Sequence, residues 1–210
     1  MKFSQRLILL AALALVPIRS ANATTIVVNG SFESPDIPGG SFALFPAGIP
    51  GWSVSSGPSI EIQDHVAGSP FAGDQFVELD STANSGMLQL LPTSPGGYVL
   101  SFAYSPRPGI ALASNGIQVY FNSVLLDTLA LSGIGNSDTV WAVHSYNVTA
   151  TGGSTPLEFR AIGTSDSLGG YLDAVQVTAV PEPASLVLLG FGLSTTVGRR
   201  LKKRFVRQAE

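Results

Sequence analysis

The stretch Tyr98–Tyr104, "YVLSFAY", places Tyr98, Leu100, Phe102 and Tyr104 at every second position. Successive side chains of an extended strand point to opposite faces, so these four share one face. A helix would divide them between opposite sides. The same period recurs on both sides of this stretch. Ile60 and Ile62 alternate in "SIEIQ", and Val77 and Leu79 in "FVELD". Ile117, Val119 and Phe121 do so in "GIQVYF", Leu157 and Phe159 in "PLEFRAI", while Leu172 and Val175 mark "YLDAVQV". Gly, Pro, Asn and Ser separate the segments, and no helical period of useful length precedes Ala184. The expectation is an all-β fold, a single antiparallel β-sandwich or barrel. "WAVHSYNV" changes phase between Val143 and Tyr146, which predicts a bulge or bend near His144 and Ser145. Ser34–Gly51 is too rich in Pro and Gly for a central strand and is expected to wrap one end.

Two other kinds of segment flank this body. Residues 1–23 begin with Lys2 and Arg6, continue with the apolar run Leu7–Ile18 and end in Ala21-Asn22-Ala23. A basic start, a short apolar core and small residues at Ala21 and Ala23 describe a secretory signal peptide cut after Ala23. The run is short for a lasting membrane anchor. At the other end, Pro181-Glu182-Pro183 precedes an uncharged segment, 184–198, and a basic tail, 199–207. As a helix that segment is about 22 Å long, a short membrane-spanning helix helped by its flanking residues. The alternative is a buried C-terminal helix with a solvated basic end. Basic flanks stay in the cytoplasm, which puts the body outside.

The tail resembles the PEP-CTERM sorting signal of exported bacterial surface proteins. The resemblance rests on Pro181, Glu182 and Pro183, the run "ASLVLLGFGLSTTVG" and the cluster "RRLKKR". It implies recognition by an exosortase-type membrane protease and cutting near the Pro-Glu-Pro motif. Release to the cell surface or an exopolysaccharide matrix would follow. The expected domains are therefore 1–23, a β-sandwich at 24–179, and a sorting and anchor segment at 180–210.

The chain has no Cys, so its exported body must rest on its core or on a metal. Between residues 24 and 183 there are thirteen acidic residues and two basic ones, Arg107 and Arg160, a net charge of −11. That balance argues against nucleic acid as a partner, since phosphates need Lys and Arg, and against binding to acidic lipid surfaces. It is compatible with neutral glycans, with cation binding or with solubility alone.

Catalytic signatures are weak. There is no G-x-S-x-G and no Lys in the body to activate a Ser. His65 and His144 stand alone, without metal-ligand spacing. Glu78 and Asp80 share a strand face, and with Glu61 on a neighbouring strand, a placement the sequence allows but does not fix, they would be the one arrangement that suggests a glycoside hydrolase. Acidic residues on solvent faces account for it equally. For sugar stacking the aromatic candidates are Trp52, Trp141, Tyr104, Tyr120, Tyr146 and Tyr171, with both tryptophans equally suited to core packing. Arg107, on the loop "YSPRPG", can clamp a ligand's hydroxyl pair or carboxylate, or balance a nearby acid.

"VVNGSFESP" opens the body and "DSLGGYLDAVQV" closes it, with "PGWSV" and "FVELDS" between. This set resembles the galactose-binding-like jelly rolls of carbohydrate-binding modules, and more closely the choice-of-anchor surface domains. The resemblance implies two antiparallel sheets with first and last strands adjacent, and glycan binding as an alternative to a purely structural surface role. It also implies a structural Ca²⁺ site at Glu33 and Asp173, completed by backbone carbonyls. Otherwise Glu33 caps a turn and Asp173 accepts loop amides.

Overall fold

The computed structural model describes residues 24–181. The expected leader with Ala21 and Ala23, and Glu182, Pro183, the apolar segment and the basic tail, lie outside the described residues. Nine strands form one antiparallel network: β1 (Ser41–Phe45), β2 (Ser53–Ser56), β3 (Ile60–Asp64), β4 (Phe76–Glu78), β5 (Gly86–Ser105), β6 (Gly116–Phe121), β7 (Val124–Leu129), β8 (Ala142–Ile162) and β9 (Tyr171–Ala179). A single 3-10 turn, Leu112–Ser114, precedes β6. The order is β1-β3-β4-β9-β5-β8-β6-β7, with β2 added on β5.

Two long strands turn this network into a sandwich. β5 and β8 pair along their whole length, from Gly86↔Arg160 to Tyr104↔Ala142. Halfway along, their buried side switches. In β5 the buried positions run Met87, Gln89, Leu91, Thr93 and then Tyr98, Leu100, Phe102. In β8 they run Val148, Ala150 and then Thr155, Leu157, Phe159. The switch lies at Ser94–Gly97 and at Gly152–Gly153. Gly152 and Gly153 have φ of 95° and 86°, a conformation that costs glycine alone little. The hairpin folds over at this point. Its outer part joins β9, β4, β3 and β1 in a front layer; its inner part joins β2, β6 and β7 in a back layer. Phe102 of the front layer meets Phe159 of the back layer edge to face at 5.1 Å. Trp52 packs at 6.1 Å from Phe159 and 5.9 Å from Phe32. These rings pack with a larger set of buried Ile, Leu and Val side chains between the layers, the apolar burial that stabilises a Cys-free domain.

The N-terminal segment runs beside the last strand, as the resemblance implied. Ile26 N donates to Val177 O at 2.9 Å and Val175 N to Gly30 O at 2.8 Å. Only a glycine fits at position 30, where a Cβ would lie 2.0 Å from Val175 O.

Two expectations need correction. No register shift interrupts β8 at His144 and Ser145, whose partners are Phe102 and Ser101. The bulge is in β9 instead, between its pairings Ser101↔Gln176 and Ala103↔Asp173, with Ala174 at φ 49°. It explains why Leu172 and Val175, three residues apart, both face the core. Ser34–Gly51 supplies no central strand, as expected, and only its strand content needs correction: it contains β1, at the edge of the front layer and paired with β3.

Candidate functional site

The outer face of the front layer holds most of the chemistry. Glu61 on β3, Glu78 on β4, Tyr171 on β9 and Ser105 on β5 lie side by side in one row. Alternation puts them opposite the core residues Ile62, Val77, Leu172 and Tyr104, where solvent is expected. They are nonetheless buried, with Glu78, Tyr171 and Ser105 at 0% exposure. The segments 65–75 and 137–141 lie over this face. Tyr171 OH donates to Ala67 O at 3.3 Å, Val140 N to Ser105 Oγ at 2.9 Å, and Phe76 meets the Trp141 ring at 5.8 Å.

Beneath this cover the charges satisfy one another. Arg107 Nη1 donates to Glu78 Oε2 and its guanidinium lies 5.8 Å from the Tyr171 ring centre. Gln63 Nε2 bridges both carboxyl groups, donating to Glu61 Oε1 at 2.9 Å and to Glu78 Oε2 at 2.5 Å. Gly169 N donates to Glu78 Oε1 at 2.5 Å. Desolvation pushes Glu78 up to about 8 against the opposing pull of Arg107, with Glu61 and Asp80 adding to the rise. Desolvation raises Glu61 as well, against Gln63 and Arg107. Two carboxylates and one guanidinium leave a buried net charge of −1, which one shared proton removes. The two carboxyl groups, joined through Gln63, hold that proton jointly. As a pair they are closed to a substrate. Arg107 takes the role of balancing an acid, one of the two left open by the sequence.

The other acidic residues anchor loops. Asp80 Oδ2 accepts Asp166 N at 2.9 Å and Ser167 N at 3.1 Å. Glu33 and Asp173 do come together, and they hold the loop 71–75 from two sides. Asp173 Oδ2 accepts Phe71 N and Ala72 N, both at 2.9 Å, and Glu33 Oε1 accepts Asp74 N and Gln75 N at 3.1 and 3.2 Å. Burial pushes Asp173 up to about 7; its amide partners oppose that and Glu33 adds to it. Neither carboxylate is in an ion pair among the described residues. For calcium, the pair offers a few oxygens of the six to eight required, and among the described residues no third His, Cys, Asp or Glu joins them.

The aromatic candidates divide by exposure. Trp52, Tyr104 and Tyr171 are buried. Burial pushes Tyr104 up to about 12, and its hydroxyl donates to Asn115 O at 2.7 Å. Tyr120 lies under Arg160, 4.7 Å away, and Tyr146 donates to Asp127 Oδ2 at 2.6 Å. His144 stacks on Phe102 at 5.6 Å, and His65 pairs with Asp64 at 2.6 Å. Trp141 is outside the core. It sits on the front-layer cover, its ring between Phe76 and the 46%-exposed Phe71, 6.2 Å away. Trp141 Nε1 donates to Ser69 O at 2.8 Å. Ser69 N and Oγ in turn donate to the Asp138 carboxylate at 2.8 and 2.9 Å, and Thr139 Oγ1 to Ser69 O at 2.6 Å. These bonds, with Thr139 N the strongest, hold Asp138 below the usual carboxylate range. Two loops are thus fastened to each other, and they present Phe71 and Trp141 beside exposed Val66, Val140 and Val143.

Phe71 is the residue missed from the sequence. "SPFAGD" has no period to mark it, and only its contact with Trp141 gives it meaning. A depression of about 460 Å³ near Leu112 and Ile162 is the rival place for a ligand, but among its lining side chains only Thr164 is polar.

Comparison with known proteins supports two statements. Residues 179–204 match the PEP-CTERM protein-sorting motif, which marks the chain as exported and surface-targeted. The fold matches TmCBM61 in complex with β-1,4-galactotriose, at 14% identity and a TM-score of 0.52, over 75% of this chain and 100% of that one. A family 35 carbohydrate-binding module from Clostridium thermocellum, 15% identical, covers 67% of this chain and 99% of its own at a TM-score of 0.44. In sequence, 168 residues are 29% identical to a multifunctional-autoprocessing repeats-in-toxin of Vibrio cholerae, covering 76% of this chain. The chain spans about 3% of the length of the curated relatives it matches.

Proposed function

We propose that this chain is a non-catalytic surface or matrix protein whose body binds a neutral glycan, and that its tail serves as a temporary membrane anchor. The observation that carries the glycan reading is the fixed pair of exposed Phe71 and half-buried Trp141 on the front-layer cover. The C–H faces of a pyranose are apolar, and a rigid ring covers them at little cost in conformational entropy. Asp138, Ser69 and Thr139 surround the pair with polar groups able to orient hydroxyls. Arg107 holds Glu78 and Tyr171 in place beneath this surface rather than touching the glycan. The acidic body favours a neutral polymer over an anionic one. The carbohydrate-binding modules that share the fold support the reading by analogy. Binding of the signal-free chain to a glycan array, with β-1,4-galactotriose as the first probe, tests it. Retention of glycans by wild type and their loss in Trp141→Ala is the expected result.

Processing by an exosortase-type protease at Pro181-Glu182-Pro183 completes the proposal, with release toward an exopolysaccharide. Glu182→Ala is expected to hold the full-length form in the membrane fraction on immunoblots; normal release would overturn the sorting role of that motif. Calcium at Glu33 and Asp173 belongs to the same proposal. The two carboxylates lie together without a cationic partner, and a bound ion would link the first and last segments of the body.

A further inference from the structure

The charges of the body avoid one end of it. Residues 86–106, 139–157 and 174–181 contain no Asp, Glu, Lys or Arg, although the stretch 24–183 carries −11. These segments meet where β5 and β8 fold over. Gly97 pairs with Thr149, Tyr98 pairs with Ala179, and Val180 N donates to Gly97 O at 2.9 Å. The uncharged β6–β7 turn joins them, with Asn122 N donating to Pro156 O at 2.8 Å. Thr25 is there too, its Oγ1 accepting Val177 N at 3.1 Å. Leu90, Val124 and Val180 stand exposed at this end, at 60%, 61% and 48%.

The tail departs from the same place. Val180 is still bonded to the fold, and four residue steps separate it from Ala184, where the apolar segment begins. Fully extended, those steps reach about 14 Å. The far end of β5, eight residues beyond Gly97 at Ser105, is roughly 27 Å away. With the tail in a membrane, the fold-over end is therefore the part of the body within reach of the lipid.

We infer that the fold-over end is a membrane-facing surface, held against the bilayer while the tail is inserted; this rests on the anchor reading above. A body with so many carboxylates is repelled by anionic headgroups within a Debye length, about 8–10 Å. This end approaches without carrying a carboxylate toward them. Its exposed Leu90 and Val124 gain by entering the interfacial layer.

The absence of Cys makes the test direct. The signal-free chain, residues 24–210, carries one fluorophore at Thr151→Cys, on the fold-over end, or at Ser137→Cys, on the opposite loops. Both positions are exposed. Each is reconstituted in vesicles of phosphatidylcholine with phosphatidylglycerol as the minor component and a nitroxide on the lipid headgroup. Flotation reports insertion of the tail; quenching reports which end faces the lipid. The inference expects several-fold stronger quenching at 151 than at 137. It also expects Ser94→Asp with Thr149→Asp to remove that difference on the anionic vesicles and to spare it on pure phosphatidylcholine. Chains that float but quench equally at both positions overturn the docking and leave the anchor standing. That result on protein-free lipid would assign the uncharged end to a protein partner instead. Chains that do not float overturn the anchor reading and the docking with it.

Discussion

The outer face of the front layer contains two regions built from similar materials and put to opposite uses. One, Glu61–Gln63–Glu78–Arg107–Tyr171, has charge and aromaticity, and its carboxylates are bonded within the cluster by Gln63 and Arg107. The other, Phe71–Trp141 with Asp138, has its aromatic rings directed outward and its polar groups spent on holding two loops together. A residue's chemical type does not separate them; cover does. Arg107 and Tyr171 look like ligand contacts in the sequence; Tyr171 is fully buried and Arg107 is half-buried against Glu78. Trp141 suits core packing and is at the surface. The comparison gives the first region a structural part; the second is the face proposed for recognition.

The largest expected effect tests the first assignment. Arg107→Ala leaves Glu78 buried without its cation, a change that typically costs about 3–5 kcal/mol. Chemical denaturation should show that loss at neutral pH and a smaller one at pH 5, where a second proton relieves the pair. An unchanged midpoint would mean that the cluster is not structural.

Next in size is the pH dependence of the intact domain. Glu78 rises from 4.5 to about 8 and Asp173 from 3.8 to about 7 on folding. Folding therefore takes up protons. The stabilisation is full below the unfolded values and is lost as pH rises through the folded ones. The Tm should be highest near pH 4–5 and fall steadily to pH 8. Glu61→Gln, which removes the neighbouring charge that helps to raise Glu78, should flatten the part of that fall above pH 7 and leave the part due to Asp173.

A smaller effect is expected at Glu33 and Asp173. If they hold calcium, millimolar calcium raises the Tm and EDTA lowers it; a hundredfold excess over Kd corresponds to about 2.7 kcal/mol. Asp173→Asn should abolish the response. A Tm unmoved by either reagent in wild type leaves the pair as a loop anchor alone.

Much of the fold was legible because alternation survives in a single sequence. Leu100 with Phe102, and Leu157 with Phe159, declare their inward faces without any tertiary information. The fold-over was not legible, because Gly152-Gly153 in β8 looks like an ordinary turn until its partner strand is known. The phase change in "WAVHSYNV" misled for a related reason. Trp141 and Val143 lie on the outer side of the front layer, where covering loops make apolar residues acceptable, so no bulge is needed. The same cover makes Glu61 and Glu78 resemble solvated acids in the sequence and buried ones in the fold. Glu33 and Asp173 were paired correctly from the resemblance, while the loop amides between them come from 71–75, a segment with no pattern of its own.

The smallest expected effect on stability is also the most direct test of the recognition role. Trp141→Ala and Phe71→Ala, purified beside wild type, are compared by affinity electrophoresis across a panel of soluble neutral polysaccharides, with the Tm measured in parallel. Wild type should be retarded by at least one polysaccharide. Both variants should lose most of that retardation with little change in Tm, since the rings are on the cover and not in the core. Retardation undiminished in either variant, or no retardation of wild type by any member of the panel, would contradict glycan recognition by this face.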